Sequence, residues 1–413
     1  MSEATTALRA LAGDVIDAGT ALFEAGGERR ARWLANAFAM LARPAGELGR
    51  DACKLLSASS GLSEPMVAWA LETTLAPLTL DALRALEAAP VPPRAGAVRA
   101  RPGQLCAVVL AGNVPIAAAR AVGIPLLFGW PVLCKASSDD DALARLLEAA
   151  LIEADPTLGA AFRVVRFAAE DDAQAQLLLE RADVVSAYGS DATLQAIRAR
   201  IAPTCTFVGH GHGLGAALVA RASLTSRETA QAAARGLALD VAAYDQRGCL
   251  SPHVAWVERG GALTPEQFAG LLHEELALLS TSLPRGRLPL DAASAQLSWR
   301  GISAMRGSLL EGEGFAVSYE DDAALRVSPG YRNVQVLATD DLTALLPRLA
   351  PLGVHLKCLG LAGIEDPHRL ASRLPARVAP RLCPVGRMQR PDVQAAQDGL
   401  APWDGLLRWS DLT

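Results

Sequence analysis

Aromatic residues are scarce in this chain: seven Trp, four Tyr and eight Phe make up 5% of 413 residues. A core short of large rings has to be filled by aliphatic side chains. Alanine is abundant throughout, so helices packed closely through small side chains are expected. Paired cysteines are missing as well. Cys53, Cys106, Cys134, Cys205, Cys249, Cys358 and Cys383 are scattered, with no CxxC among them. That spacing argues against a zinc-ribbon or thioredoxin-like site. The odd count fits a reducing cytoplasm rather than a disulfide framework. There is no basic stripe interleaved with aromatics, and the net charge is a mild −5, so nucleic acid is not an expected partner. The N-terminus, MSEATTALRALAGDVIDAG, carries acids early and no basic stretch before an apolar core, so no secretory signal is read there. The one long, nearly uncharged run, Leu105 to Cys134, is interrupted by Pro115, Pro125 and Pro131 and contains Arg120. A membrane span must satisfy its backbone internally, and three prolines oppose that. The run is expected to be strand, loop, helix and strand inside an α/β unit.

What is present is a chain long enough for two or three domains, 51% apolar and 20% charged, as in ordinary globular proteins. Residues 1–95 carry helical periodicity and read as a helical segment packing on the next unit of the chain. The proline-rich, basic stretch APVPPRAGAVRARPG, Ala89 to Gly103, reads as a connection. Beyond it, five short apolar runs (LCAVVLA, PVLCKA, FRVVRF, DVVSAY and CTFVG) alternate with alanine- and leucine-rich helical stretches. That alternation predicts a doubly wound, Rossmann-type parallel sheet over 96–225. A second α/β unit is expected over 226–385, opened by the helix SRETAQAAARGLALDVAAYD, with a C-terminal tail over 386–413.

Ligands on doubly wound sheets sit at the loops beyond the strand C-termini. This directs attention to AGNVP, KASS, YGSD and VGHGHGLG. No GxGxxG follows the first strand, so the ordinary dinucleotide fingerprint is absent. Asn113 is either a turn asparagine or an amide aimed at an oxyanion. Lys135, at a strand end, either snorkels to solvent or reaches a cofactor ribose or phosphate. Ser137 and Ser138 either help bind that cofactor or cap the next helix. Gly189 and Ser190 form a helix start that suits an anion. His210 and His212 share a face if their segment is extended. With Cys205 nearby a metal is conceivable, but no further ligand cluster is evident and no metal is expected. In AYDQRGCLSPHVAWVE, Cys249 lies between a glycine and Leu-Ser-Pro, after a long helix. It is either a small buried apolar residue or a nucleophile for an activated carbonyl.

Taken together and in this order, "AGNVP", "PLLFGWPVLCKASSDD", "YGSDAT", "VGHGHGLGAALV", "AYDQRGCLSPHVAWVE", "LGLAG" and "RLCPVGRMQRPD…QDG" resemble the aldehyde dehydrogenase superfamily. Within it they are more similar to the acyl-CoA reductase family typified by the reductase component of bacterial bioluminescence (LuxC-type). The resemblance implies an aldehyde-dehydrogenase-like α/β fold. It places Cys249 at the nucleophile and Asn113, with the Cys249 backbone N–H, at the oxyanion hole. It places Lys135 at the adenosine ribose, and Gly189 and Ser190 at the cofactor pyrophosphate.

Two departures carry information. Hydrolytic aldehyde dehydrogenases have a glutamate base in the loop matching GHGHGLG. Here that loop has no acid, and His210 or Gly209 falls near the position. A reductase that starts from a thioester must exclude water rather than activate it. At Ser138, NAD-preferring relatives often hold a glutamate, and a serine removes a charge that would repel a 2′-phosphate. NADPH is therefore the expected cofactor, with NADH as the alternative. The resemblance thus implies reduction of an acyl-CoA or acyl-carrier-protein thioester to an aldehyde, through a Cys249 acyl-enzyme and a thiohemiacetal. Outside the resemblance, His210 is read as a proton donor to the surroundings of the oxyanion or to departing CoA. An acyl-protein synthetase is the partner it admits, and a homo-oligomer is expected. The alternatives are an acyl-phosphate reductase, an oxidising aldehyde dehydrogenase, and a non-catalytic nucleotide-binding or scaffold subunit.

Overall fold

The computed structural model describes residues 2–43, 46–94, 96–112, 117–137, 140–321 and 325–411. Five helices come first: α1 (Glu3–Glu24), α2 (Gly27–Ala42), α3 (Glu47–Ser60), α4 (Glu64–Leu75) and α5 (Leu80–Ala88). Their starts are set by local chemistry. Ser2, Ser63 and Thr79 accept from the N–H three residues on, which satisfies donors the helix leaves free.

Next come β1 (Val98–Arg99), β2 (Cys106–Val109), α6 (Ala117–Leu127), β3 (Val132–Lys135), α7 (Ala142–Ala154), α8 (Pro156–Ala160), β4 (Phe162–Val165), α9 (Asp172–Arg181), β5 (Val184–Gly189), α10 (Asp191–Arg198) and β6 (Thr206–Gly211). The five apolar runs are β2 to β6. They form an all-parallel sheet in the order β4-β3-β2-β5-β6, the reversal at β2 and β5 being the switch point where such sheets bind ligands. Successive residues serve opposite faces. Cys106, Val108, Val132 and Cys134 join the core under α2 to α4, α6 and α7. Leu105, Ala107, Leu133 and Val185 join the core under α1 and α9. The N-terminal helices therefore clasp the sheet from both sides. Pro125 and Arg120 lie within α6. Among the described residues no helix is long and apolar enough to cross a membrane.

The second sheet is built from β7 (Leu214–Val219), α11 (Arg227–Ala242), β8 (Pro252–Glu258), α12 (Pro265–Ser282), α13 (Leu290–Arg306), β9 (Ser308–Gly312), β10 (Phe315–Glu320), β11 (Asn333–Thr339), β12 (Leu356–Ala362) and β13 (Arg381–Pro384). Its order is β13-β12-β7-β8-β11-β10-β9, and the β9–β10 pair is antiparallel. Helices α11 and α12 cover one face with Ala230, Ala234, Ala238, Phe268, Ala269 and Leu272, the close small-residue packing that the alanine content suggests. Both helices open on capping boxes, Ser226–Thr229 and Thr264–Gln267.

The chain changes sheets at His212–Gly213, so β7 belongs to the second sheet. This differs from the sequence pattern, which assigns the stretch up to residue 225 to the first unit. An apolar strand directly after another gives no sign that the chain is crossing between sheets. The C-terminal segment folds back onto the first unit. Strand β14 (Trp409–Ser410) pairs with β1, Trp130 Nε1 donates to Leu406 O at 2.9 Å, and Arg120 donates to Asp392 O and Ala395 O.

Candidate active site

Cys249 stands on a strained, tightly buttressed stretch. After α11 the backbone passes through Tyr244, Asp245 and Gln246 with φ of 54°, 51° and 59°. Left-handed backbone costs about 1–2 kcal/mol at each such residue and persists only where the surroundings over-determine it. The neighbours supply that constraint. Asp245 is paired with Arg332, Nε to Oδ1 at 2.9 Å, both side chains 1% exposed, and its other oxygen accepts from Gly286 N–H. Gln246 Nε2 donates to Pro252 O and Asn333 O, while its Oε1 accepts from Asn333 N–H. The N-terminal helices add a brace: Tyr244 Oη meets Thr74 Oγ1 at 3.1 Å, and Arg247 donates to Ser60 O.

On this frame Gly248 to Ser251 make a turn closed by Ser251 N–H to Gly248 O at 3.0 Å, with Cys249 second in it. The turn lies against β7 so closely that a Cβ at Gly215 would fall 2.3 Å from Leu250 O. Of the seven cysteines, Cys249 is the exposed one. Burial pushes the thiols of Cys106 and Cys134 up, that of Cys134 to about 12, which makes them inert. Solvent in the cleft reaches Cys249, yet the cleft walls crowd it. Burial, and then the Asp398 carboxylate, push its thiol above the ordinary value, while Lys357 pulls the other way. The resting group is therefore a thiol, and attack requires something to take its proton.

A cavity of about 470 Å³ opens beside it. It is lined by Cys249, His210, His212, Tyr188 and the strand ends of the five-stranded sheet, among them Lys135, Gly189 and Ser190. His210 lies near the end of β6. Its Nδ1 lies 2.9 Å from Asp398 Oδ2, and its ring stacks on Tyr188 with centroids 4.4 Å apart. Lys357 Nζ donates to the other oxygen of Asp398 at 2.5 Å. Burial pushes the Asp398 carboxyl up, but the hydrogen bonds from His210 and Lys357 and the lysine's charge outweigh it and hold it below its usual range. An ionised Asp398 places a proton on His210 Nδ1, and in the neutral ring Nε2 is then the acceptor. The segment GHGHGLG does lack an acid, but the site has a carboxylate all the same, delivered from the C-terminal segment.

Asp398 is placed by a two-residue turn. Asp398 and Gly399 have φ of 56° and 79°, and Gln397 and Leu400 exchange backbone hydrogen bonds at 2.9 and 3.0 Å. Two consecutive left-handed residues at a hairpin tip are the reason Asp-Gly is favoured there.

The other sequence candidates divide. Lys135 ends β3 at the cavity, with Nζ 5.5 Å from the Phe167 ring. Ser190 caps α10, accepting from Thr193 N–H at 3.2 Å, beside Gly189. A lysine and a helix N-terminus at the carboxyl ends of parallel strands suit the phosphates and ribose of a dinucleotide. Ser137 follows β3 at some distance from α7, which starts at Ala142, whose N–H donates to Asp140 Oδ1 at 3.1 Å. Asn113 and Ser138 lie outside the described residues. His210 and His212 do not share a strand face, because β6 stops at Gly211. Cys205 donates to Thr206 O and takes no part with the histidines.

Lys357, Asp398 and Tyr188 are not singled out by the sequence pattern. A lysine inside the apolar run VHLKCLGLAG is a usable signal, since lysine is rarely buried unless paired. The pairing of Asp398 with His210, 188 residues apart, leaves no local trace.

Comparison with known proteins identifies the family and the fold. The family model for "Acyl-CoA reductase (LuxC)" matches residues 81–409. Two long-chain acyl-protein thioester reductases are similar. That of Aliivibrio fischeri is 26% identical over 202 residues, covering 48% of this chain and 40% of its own length. That of Photorhabdus laumondii is 24% identical over 308 residues, covering 73% and 62%. The chain thus spans less than two thirds of the length of either relative. Among solved structures, an indole-3-acetaldehyde dehydrogenase of P. syringae in complex with NAD+ has a TM-score of 0.73 at 16% identity, over 97% of this chain and 88% of that one. A gamma-glutamyl-gamma-aminobutyraldehyde dehydrogenase of Burkholderia cenocepacia has 0.71 at 17%, over 99% and 88%. The fold is that of the aldehyde dehydrogenases, and the chain belongs to the acyl-CoA reductase (LuxC) family.

Proposed function

We propose that the protein reduces an acyl thioester, on CoA or on a protein carrier, to the aldehyde, with Cys249 as the nucleophile. The observation that carries this reading is the single exposed cysteine, set on a turn in a cleft that also holds the His210–Asp398–Lys357 chain. His210 Nε2 takes the Cys249 proton. The thiolate then attacks the acyl carbonyl, the bond from carbonyl carbon to the donor sulfur breaks, and the departing thiolate accepts the proton from His210. Thioester exchange is nearly balanced, so the protein's work is positioning and proton handling. A nicotinamide dinucleotide, when bound, supplies hydride; Lys135 and the start of α10 at Gly189 and Ser190 would hold it. Asn113 and the Cys249 N–H are the proposed donors to the thiohemiacetal oxyanion, and losing one such donor costs about 3 kcal/mol. Collapse then breaks the C–S bond, frees the aldehyde and restores the Cys249 thiolate.

NADPH is the preferred cofactor on the strength of Ser138, with NADH as the alternative. Hydrolysis of the acyl-enzyme, the oxidising alternative, is disfavoured by the lack of an acid in GHGHGLG, where hydrolytic aldehyde dehydrogenases carry their glutamate base. The free thiols throughout fit a reducing compartment. The test is oxidation of NADPH and NADH with a panel of acyl-CoA and acyl-protein thioesters, wild type beside Cys249→Ala. Thioester-dependent oxidation that vanishes in the variant supports the reading. Oxidation that survives in Cys249→Ala, or none with any thioester and either cofactor, contradicts it.

A further inference from the structure

At the mouth of the same cleft three side chains converge that the chemistry above does not use. Asp191 is the first residue of α10, His212 lies in the crossover between the two sheets, and His355 leads into β12. One ligand-capable atom from each lies within 4.8 Å of the others. The separations are His212 Nδ1 to Asp191 Oδ1, 3.5 Å, and His355 Nε2 to Asp191 Oδ2, 3.6 Å. These are too long for good hydrogen bonds. They run one to each oxygen of the Asp191 carboxylate, and each is near the roughly 3.3–3.6 Å that separates two ligand atoms of an ion bonded at about 2.0–2.2 Å, so the carboxylate would face the ion with both oxygens.

A second observation is independent of those lengths. His355 Nδ1 lies 3.2 Å from His212 O. A carbonyl oxygen can only accept, so Nδ1 carries a proton, and in the neutral ring Nε2 then presents its lone pair on the Asp191 side. A ring nitrogen donating to a backbone carbonyl is the usual support behind a histidine that binds a metal. A carbon side chain at Gly211 would come within 3.3 Å of Asp191 Oδ1, so the residue beside His212 leaves that oxygen clear.

We infer that Asp191, His212 and His355 form a binding site for one divalent transition-metal ion of the zinc class. Two imidazoles and a carboxylate with an open side are a donor set for such ions rather than for Mg2+ or Ca2+, which take oxygen ligands. The ion ties the β5–α10 turn of the first sheet to the start of β12 in the second, across the crossover where the chain changes sheets. The inference does not depend on the reductase reading.

The test uses the full chain carrying Cys249→Ala, so that the exposed thiol cannot serve as the ligand. After chelator treatment the protein is titrated with Zn2+ by calorimetry and with Co2+ by visible absorption. The expected result is one ion bound, with affinity at least tenfold weaker when Asp191→Asn, His212→Ala or His355→Ala is added and thermal unfolding of the metal-free variants unchanged. Binding that is absent, or that is insensitive to these three substitutions, overturns the inference.

Discussion

Asp398 Oδ2 lies 2.9 Å from His210 Nδ1, joining the hairpin tip of the C-terminal segment to the last strand of the five-stranded sheet beside Cys249. The pair fixes the ring, and Lys357 holds the carboxylate from its other side. His210→Ala is expected to lower thioester turnover about a hundredfold or more, the usual scale for a positioned proton-transfer group, and Asp398→Asn to act in the same direction. Steady-state kinetics on both variants checks this.

The same carboxylate has an opposite effect on the resting thiol. Asp398 pushes the Cys249 thiol up, so removing its charge lowers that value and enlarges the thiolate fraction at a given pH. Asp398→Asn is therefore expected to be alkylated faster than wild type by iodoacetamide at about pH 8, near the ordinary range for a thiol, while turning over more slowly. Alkylation rates followed as pH is raised through that range decide it.

Replacing Gly399, at φ 79°, by valine is expected to cost about 1–2 kcal/mol of stability and to displace Asp398. Turnover should then fall by more than the stability loss explains, approaching that of Asp398→Asn. Denaturant unfolding beside kinetics separates the two effects.

The buried Asp245–Arg332 pair braces the strained residues before Cys249. Arg332→Met leaves a buried carboxylate without its partner and is expected to destabilise by about 3–5 kcal/mol. The double variant Asp245→Asn, Arg332→Met should recover part of that loss. Urea unfolding of the two variants beside wild type is the measurement.

Asp240 gives a pH dependence of known sign. Burial raises its carboxyl to about 7, against the lowering effect of N–H groups from Gly386 and Met388. A folded value above the unfolded one means that the folded state binds the extra proton between them. The contribution to stability is full below about pH 4 and is lost as pH rises through about 7, by up to about 4 kcal/mol. The difference in unfolding free energy, wild type minus Asp240→Asn, should therefore fall from about pH 5 to about pH 8. A difference that is flat or rising across that range contradicts it.

The legible parts of this protein are those written locally. The five strands of the first sheet alternate with helices at short spacing, and each apolar run is a strand within a residue or two. The cysteine turn is visible because a glycine, a cysteine and a proline fall together after a long helix. What is hidden depends on contacts distant in the chain. Asp398 reaches His210 across 188 residues, and Arg332 reaches Asp245 across 87. The crossover at His212 is obscured for a different reason: β6 and β7 succeed each other as apolar extended segments, and period-two alternation does not say which sheet a strand joins.

Covalent acylation of Cys249 is tested most directly by the mass of the intact protein after incubation with a long-chain acyl-CoA and no nicotinamide cofactor. The expected result is one added acyl group, mapped by peptide analysis to Cys249, released on adding NADPH and absent in Cys249→Ala. An acyl group on another residue, or none on Cys249 while thioester-dependent oxidation proceeds, would contradict it.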